Sequence, residues 1–457
     1  MEAVSGAKTS RKRARQRASS FREAPRKDRR AETVSGAKPS RKLGAFGKRP
    51  IVRGATPAER APIADLYATC FSGPHRPYER MHALQTRHAP ARPGFRDENA
   101  RVAVLDGRIV SHVQVIPYTM HYGQATLTVG GVGNVCTHPD HRGRGYSAAV
   151  MRDAIAYMRA IGCDISLLNG IAGYYPQFGY ANVWPYHNLD VNPRDLAGLT
   201  TTLTVRDLSR DDIPAMLALY EQAWRGRPGA RCRDSAYLAW ALDWFDTPKV
   251  AAVDAEDRLR GYMVDFWVPG AICEVVAEDA DTTAALLLAS AASVEAAYGD
   301  GDDTQPFRWF IPPDATAARH ARRLCTVEII ARVRRDGGWM GRIIDLHSTI
   351  EKLLPELEAR VQGSPCVGWE GRLLIETDLG AVTLAFSRGA LALDRGNARP
   401  SATARLSQRD LAQLMFAFLT PAEVAAQVGA FIDAPALRLL EALFPPRVCD
   451  IAGLDWF

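Results

Sequence analysis

The chain has 457 residues, of which 47% are hydrophobic and 24% are charged, and its net charge at pH 7 is +6. That length exceeds what one hydrophobic core usually serves, so we expect two or three domains. The longest uncharged apolar stretch, residues 283–294, is too short to cross a bilayer, and no signal peptide is recognised. The eight cysteines have no metal-ligand or redox spacing. The composition therefore excludes a membrane protein and predicts a cytoplasmic protein with reduced cysteines and no bound metal.

Residues 1–50 form a strongly basic tail. They contain 16 Lys or Arg and 4 Asp or Glu, a charge of +12, so the +6 of the whole chain leaves −6 for residues 51–457. The segment VSGAKTSRK at residues 4–12 returns as VSGAKPSRK at residues 34–42. Few apolar residues and no amphipathic period predict a disordered extension. Nucleic-acid binding through this tail is the less favoured alternative.

Capping and turn residues indicate the first folded elements. Residues 56–59 form a capping box with proline at the first helical position, which predicts a helix that runs to Phe71. Residues 101–105 and 109–116 flank an Asp106-Gly107 turn and predict a β-hairpin.

The stretch from Val135 to Ser147 is the most informative part of the chain. It predicts a strand that ends in a basic, glycine-rich loop and continues directly into a helix. The apolar face of that helix follows a 3.6-residue period and consists of Val150, Ala154, Met158 and Ile161, before Gly162 ends the helix. Amides at a helix start bind anions, and glycines let a phosphate approach the backbone. The stretch therefore predicts a pyrophosphate site, to which Arg142 and Arg144 add charge.

The spacing of this loop matches neither the nucleotide P-loop nor the dinucleotide fingerprint. It resembles motif A of the GNAT acetyltransferases, an Arg-x-x-Gly-x-(Gly/Ala) loop that holds the pyrophosphate of acetyl-CoA. The six positions are Arg142, Gly143, Arg144, Gly145, Tyr146 and Ser147, the last departing mildly from the usual small apolar residue. The resemblance also implies that a strand amide at Val135, Cys136 or Thr137 stabilises the oxyanion. An ordinary strand-to-helix turn with surface arginines is the alternative.

A tyrosine-rich motif follows a short apolar strand at residues 165–168. Its sequence is Tyr174-Tyr175-Pro176-Gln177-Phe178-Gly179-Tyr180. The pattern Tyr-x-x-Phe-Gly-Tyr resembles the Eis-like (enhanced intracellular survival) branch of the GNAT enzymes and implies that Tyr175 protonates the departing thiolate of coenzyme A. A tyrosine with a pKa of about 10 stays protonated at neutral pH and can donate that proton. We interpret Tyr174 as aromatic packing, which is also the alternative for Tyr175.

Residues 196–338 resemble the first folded region and predict a second GNAT-like domain. At an offset of 153 residues, Arg53, Leu66 and Phe71 correspond to Arg206, Leu219 and Trp224, and a similar hairpin recurs at residues 250–254. Where the first region has its basic loop, this one has Glu278, Asp279 and Asp281. Carboxylates in that position repel a pyrophosphate. We therefore expect a degenerate copy without a cofactor site.

Residues 339–457 change in character, because strands precede helices. Strands are expected at residues 372–376, 381–386 and 390–393, and capping boxes at residues 407–410 and 420–423 predict two helices. This order resembles the sterol-carrier-protein-like domain at the C-terminus of Eis-like enzymes. No residue in the region indicates lipid binding.

The chain ends in Leu454-Asp455-Trp456-Phe457. Disordered chain ends are usually polar, whereas these aromatic side chains favour burial. In Eis-like enzymes the carboxylate of a terminal phenylalanine lies in the active site, where it acts as the base or anchors the amine. The resemblance implies the same for Phe457, and the alternative is a segment that packs only on its own domain.

Together these patterns predict an α/β (α+β) protein. It consists of a disordered basic tail at residues 1–50, a catalytic GNAT domain at 51–195, a degenerate GNAT-like domain at 196–338 and a sterol-carrier-protein-like domain at 339–457. The resemblance implies an acetyl-CoA-dependent N-acetyltransferase that acts on cationic amines (aminoglycosides, polyamines or lysine-like amines) and assembles as a homo-oligomer, a hexamer in the family. A non-catalytic protein that binds an apolar ligand or acyl-CoA is one alternative, and a nucleic-acid-associated protein is another.

Overall fold

The computed structural model describes residues 49–457, with the exception of residues 75, 246, 300–304 and 397. The predicted disordered tail thus lies outside the described residues, apart from residues 49 and 50. Three β-sheets organise the described chain, two of seven strands and one of five. None of the helices in this part of the chain is long and apolar enough to cross a membrane.

The first stretch of the chain is built around a long central hairpin. Its strands are β1 (Ile51–Gly54), β2 (Ala100–Leu105), β3 (Arg108–Tyr122), β4 (Ala125–Thr137), β5 (Ile165–Gly170), β6 (Ala181–Asn182) and β7 (Tyr186–Val191). Its helices are α1 (Arg60–Phe71), α2 (Tyr78–Ala83) and α3 (Tyr146–Ala160). The predicted hairpin and the predicted helix after the glycine-rich loop are confirmed. The predicted capping acid is also in place, since the Glu59 carboxylate accepts a hydrogen bond from the Thr56 amide at 2.8 Å.

The second stretch contains six strands and four helices among its described residues. The strands are β8 (Thr204–Asp207), β9 (Lys249–Val253), β10 (Leu259–Asp265), β11 (Ala271–Ala277), β12 (Phe307–Trp309) and β13 (Glu328–Arg332). The helices are α4 (Ile213–Trp224), α5 (Ser235–Trp244), α6 (Ala280–Tyr298) and α7 (Thr316–Leu324). A capping box at Ser209 precedes α4, with the Asp212 carboxylate 2.7 Å from the Ser209 amide.

The third stretch returns to the first sheet and then forms a sheet of its own. The strands are β14 (Gly338–Ile343), β15 (Gly371–Thr377), β16 (Gly380–Ser387), β17 (Ala390–Leu393), β18 (Ala402–Arg405) and β19 (Phe431–Ile432). The helices are α8 (Leu346–Gln362), α9 (Gln408–Met415), α10 (Pro421–Ala425) and α11 (Ala434–Leu443). Both predicted capping boxes are present, at Ser407 and Thr420, whereas α8 is not predicted from the sequence.

The two seven-stranded sheets have the same order of pairings. The first runs β1-β2-β3-β4-β5-β14-β6, and the second runs β8-β9-β10-β11-β12-β7-β13. The fourth and fifth strands of each sheet are parallel. The neighbouring pairs on either side are antiparallel.

Each of these sheets takes one strand from beyond the predicted domain boundary. Strand β7 lies within residues 51–195 but pairs in the second sheet. Strand β14 opens the predicted third domain but pairs with β5 and β6 in the first. Each predicted domain boundary therefore differs by one strand from the division of the strands between the sheets. Turn residues mark where a strand ends, but they do not indicate which sheet the strand joins.

The first sheet lies between α3 and the third region. Val150 and Met158 of α3 are buried against one face of the sheet. On the other face, Leu127 of β4 belongs to one apolar core with Leu353 and Leu357 of α8. Each such side chain contributes about 1.5–3 kcal/mol when fully buried. The third region is therefore packed on the sheet that carries the glycine-rich loop.

Candidate active site

The first sheet opens between its two parallel strands. Strands β4 and β5 are paired from Val129 to Val132 and from Ile165 to Leu168, yet β4 continues to Thr137. The carboxyl ends of the two strands therefore separate and leave a cleft. In open α/β sheets, ligands bind at this end of parallel strands.

A β-bulge interrupts β4 at this cleft. Asn134 and Val135 together oppose a single residue of β3, and Asn134 has a left-handed backbone with a φ of 54°. The buried His112 of β3 stabilises the bulge, with its Nδ1 atom 3.2 Å from the Asn134 carbonyl oxygen. Burial lowers the pKa of His112 to about 4, so the ring is neutral at pH 7. A bulge leaves its extra residue without a partner in the strand ladder. Here the residues without regular pairing are Asn134 and Val135.

Thiols and imidazoles surround the outer end of β4 without forming a metal site. Cys136 is buried beside Cys70, whose pKa is lowered to about 6, chiefly by a hydrogen bond from Cys136, with Arg142 contributing. The rings of His138 and His141 lie 5.7 Å apart. Within the described residues, no group of three or more His, Cys, Asp or Glu side chains could hold a metal ion.

The loop after β4 leaves open space at the start of α3. Gly143 and Gly145 have left-handed φ angles of 74° and 80°, which glycine adopts without strain. Apart from its own chain neighbours, no described residue has a heavy atom within 4 Å of the place that a Cβ would take at either glycine. Helix α3 begins at Tyr146, so its first amides face this space with the positive end of the helix dipole. Arg142 and Arg144 are exposed beside it, and the arrangement fits the diphosphate of acetyl-CoA.

The two adjacent tyrosines occupy different places. Tyr175 begins a 3-10 turn, is 6% exposed and packs on Gly170 at the end of β5, where a Cβ would stand 2.5 Å from the ring. Burial raises the pKa of Tyr175 well above its ordinary value, so the hydroxyl stays protonated. The Tyr174 hydroxyl lies 2.5 Å from the Ser147 Oγ in the first turn of α3, and burial raises its pKa as well. Tyr174 therefore contacts Ser147, which is predicted to bind the cofactor. The interpretation of Tyr174 as aromatic packing does not predict this hydrogen bond.

The C-terminal residue reaches the bulge in β4. The carboxyl carbon of Phe457 lies 3.4 Å from the place of a Cβ on Gly133, and its ring lies 3.1 Å from that of Gly131. The ring packs beside Tyr118 and Trp339, with centroid distances of 6.0 and 6.1 Å. Because Gly133 directly precedes the bulge, the structure brings the terminal carboxylate next to the residues predicted for the oxyanion.

The second sheet holds this C-terminal segment in place. Arg233 is fully buried and donates two hydrogen bonds of 2.7 Å to Glu274 of β11 and two of 3.0 Å to Asp455. Gly453 also lies against β11, since a Cβ there would stand 1.8 Å from the Cys273 carbonyl oxygen. The segment is therefore packed on the second sheet and not only on its own predicted domain. A buried charged cluster of this kind is strongly destabilised when one partner is removed.

Several contributors to the site are not predicted from the sequence. Tyr118 has a buried hydroxyl without a partner among the described residues, and the Arg231 guanidinium lies 4.9 Å from its ring centroid. Gly131 and Gly133 leave the room that Phe457 occupies. Glycines two residues apart in a strand indicate close approach of another group on one face, so the sequence does carry a signal for these two.

Residues 51–183 match the family described as Acetyltransferase (GNAT) domain. This part of the chain is therefore a GNAT acetyltransferase domain, and the protein is an enzyme of the acyltransferase class. A comparison with curated protein sequences found no match.

Solved structures share the fold over most of the chain. The GCN5-related N-acetyltransferase from Kribbella flavida is 20% identical, with a TM-score of 0.66, and the match covers 89% of this chain and 100% of that one. The corresponding enzyme from Anabaena variabilis is 17% identical, with a TM-score of 0.68 and coverage of 90% and 100%. Eis1 from Mycobacterium abscessus is 15% identical, with a TM-score of 0.58 and coverage of 89% and 100%. At these identities the likeness concerns the fold.

Proposed function

We propose that the protein is an acetyl-CoA-dependent N-acetyltransferase that transfers the acetyl group directly to a primary amine. The observation that carries this proposal is the terminal carboxyl group of Phe457, which lies beside Gly133 and the β4 bulge in a GNAT acetyltransferase domain. Phe457 is half-buried at this place. We assign its carboxylate a role toward the amine.

The residues around the cleft divide the chemical tasks. The loop from Arg142 to Ser147 holds the diphosphate of the co-substrate by charge and helix amides. A backbone amide at Val135, Cys136 or Thr137 donates to the carbonyl oxygen as negative charge develops there. The amine nitrogen bonds to the carbonyl carbon, the carbon–sulfur bond breaks, and Tyr175 gives its proton to the departing thiolate.

The amine must also lose a proton, and the Phe457 carboxylate is the candidate group. An α-carboxylate has a pKa of about 3.5 and is a poor base in water, but burial raises such a pKa. As a base it takes the proton from the amine. As an anchor it orients the cation while water removes the proton. Both roles need the carboxylate within reach of the amine nitrogen.

The other regions have supporting roles in this proposal. The second sheet is a degenerate GNAT-like copy, which is supported by its order of strand pairings. It binds no acetyl-CoA and instead positions the C-terminal segment. For the third region we propose a sterol-carrier-protein-like fold. The five-stranded sheet and its flanking helices are compatible with that fold.

The proposal is tested by measuring free thiol with acetyl-CoA and a panel of primary amines. We expect amine-dependent thiol release and saturable acetyl-CoA binding by calorimetry. Binding without thiol release for any amine would favour a non-catalytic acyl-CoA-binding protein. No saturable binding of any acyl-CoA would refute the proposal altogether.

A further inference from the structure

A cavity of about 370 Å³ adjoins the C-terminal residue. Trp456 and Phe457 form one wall, and residues of β5, β7, β12 and the end of β13 form much of the rest. Phe457 also lies beside Gly133, which directly precedes the β4 bulge. An amine at the terminal carboxylate can therefore extend into this cavity. Its volume lies at the small end of ligand pockets and suits a small acceptor better than an oligosaccharide.

Three arginines line the cavity, and two of them give it a positive wall. Arg308 is bound to Asp190, with Nε and Oδ1 2.6 Å apart, whereas Arg332 and Arg334 are exposed. In the part of the chain that the structure describes, no carboxylate forms an ion pair with either of these two. None of the described lining residues is Asp or Glu. Among them, the negative charge comes from the terminal carboxylate of Phe457.

One buried polar atom of the cavity lacks a partner. Asn188 of β7 is 4% exposed and lines the cavity, and its Oδ1 atom accepts no hydrogen bond from the described residues. Leaving a buried acceptor unpaired is unfavourable, so the site favours a ligand with an N–H or O–H donor. The cavity thus combines acceptors, at Asn188 and Phe457, with cations at Arg332 and Arg334.

On the basis of the proposed acetyltransferase function, we propose that the acceptor is a small primary amine that also carries a carboxylate or a phosphate. Its amine meets the Phe457 carboxylate and its anionic group meets Arg332 and Arg334. Guanidinium groups bind both anions through paired hydrogen bonds. A polyamine or aminoglycoside brings extra positive charge against the same arginines, which is unfavourable. The cationic amines expected from the sequence are thereby narrowed to those that also carry an anionic group.

Matched amine pairs test this proposal on the full-length enzyme. Lysine is compared with cadaverine, glucosamine 6-phosphate with glucosamine, and spermidine and kanamycin serve as polycations. We expect kcat/KM to be at least about tenfold higher for the anionic member of one pair, and the two pairs distinguish a carboxylate from a phosphate. A preference for cadaverine, spermidine or kanamycin would overturn the inference and leave the proposed function intact. If no amine releases thiol, the proposed function fails and the inference fails with it.

A double variant, Arg332→Gln with Arg334→Gln, identifies the groups that recognise the anion. We expect KM for the anionic amine to rise about tenfold, with kcat and the KM of the partner that lacks the anionic group nearly unchanged. Arg335→Gln is the matched control, because Arg335 is 98% exposed and lies outside the lining. A rise in KM for acetyl-CoA alone would assign the arginines to the co-substrate. Equal losses for both members of a pair, or a lowered melting temperature, would mean that their role is structural.

Discussion

The two seven-stranded sheets share their strand order and differ where the first has its cleft. After β4 the chain takes residues 138–145 to reach α3, whereas after β11 it takes residues 278–279 to reach α6. The long loop leaves the start of α3 open. In the short one, the Asp279 carboxylate accepts a hydrogen bond from the Thr282 amide at 2.8 Å and caps α6. One helix start is available to an anion, and the other is occupied by a side chain of the protein itself.

The second cleft is filled by the C-terminal segment. Strands β11 and β12 are paired at Ile272 and separate beyond it, as β4 and β5 do beyond Val132. Gly453 lies against Cys273 of β11, and the Leu454 amide donates a hydrogen bond to Glu274 of the same strand. One cleft is thus open, while the equivalent cleft binds the chain end and so positions Phe457 at the first.

The largest effect is expected for Tyr175→Phe in the first cleft. Removing the proton donor should lower kcat about 100-fold or more, with little change in acetyl-CoA affinity. Tyr174→Phe is the matched control and should have a milder effect on kcat, because this variant loses only the hydrogen bond to Ser147. Steady-state kinetics and calorimetry measure both quantities. Wild-type turnover of Tyr175→Phe together with inactive Tyr174→Phe would transfer the role of the acid to Tyr174.

Charge reversal in the loop before α3 should remove its affinity for an anion, so that neither helix start binds acetyl-CoA. Arg142→Glu with Arg144→Glu should weaken acetyl-CoA binding at least about 100-fold, because each charged contact contributes roughly 1.5–3 kcal/mol. Calorimetry of the unaltered protein should give one acetyl-CoA per chain, since Asp279 occupies the second helix start. A stoichiometry of two would contradict a silent second copy.

Extending the chain beyond Phe457 should remove the terminal carboxylate from the cleft. We expect activity to fall at least about tenfold, as the loss of a general base or amine anchor requires. The same peptide placed before residue 1 serves as the control. A fully active enzyme with a C-terminal extension would exclude the carboxylate from the reaction.

Gly453→Ala tests whether the second cleft positions the chain end. The added methyl group would stand 1.8 Å from a backbone oxygen of Cys273, and such overpacking costs about 1–3 kcal/mol. We expect a lower melting temperature and reduced kcat. Gly368→Ala is the control, because nothing described lies within 4 Å of its Cβ position. Full activity of a destabilised Gly453→Ala enzyme would show that catalysis does not depend on how the second cleft positions the chain end.

A buried ionisable side chain lies beside the bulge of each cleft strand, a base in one sheet and an acid in the other. His112 lies beside the bulge in β4, and Asp265 pairs with β11 at the corresponding bulge. Burial lowers the pKa of His112 to about 4 and raises the pKa of Asp265 to about 7. His112 therefore destabilises the fold as pH falls from 6.5 toward 4, and Asp265 destabilises it as pH rises from 3.8 through 7.

The last expected effects concern the dependence of the free energy of unfolding on pH. His112→Gln should remove up to about 3 kcal/mol of acid destabilisation, and Asp265→Asn should add up to about 4 kcal/mol of stability above pH 7. Urea unfolding between pH 4 and pH 8 measures both changes. The two substitutions should affect opposite ends of the pH range, and a shift at the same end would contradict the assigned burial.

Local patterns let the sequence determine the elements near the loop. Capping boxes, the Asp106-Gly107 turn and the helical period after Gly145 each involve residues a few positions apart, so they report on structure without the rest of the fold. The strand, loop and helix from Val135 onward are confirmed on this basis. The roles of Tyr175 and Phe457 rest on resemblance and stay predictions.

Only the tertiary structure decided what meets across long separations. The exchange of β7 and β14 between sheets, the contact of Phe457 with Gly133 and the arginines around the acceptor cavity join residues far apart in the chain. Backbone pairing and charge act through space, and neither has a period or spacing that a sequence displays. For that reason the sequence could indicate a chain end suited to burial, while the fold alone determined which cleft receives it.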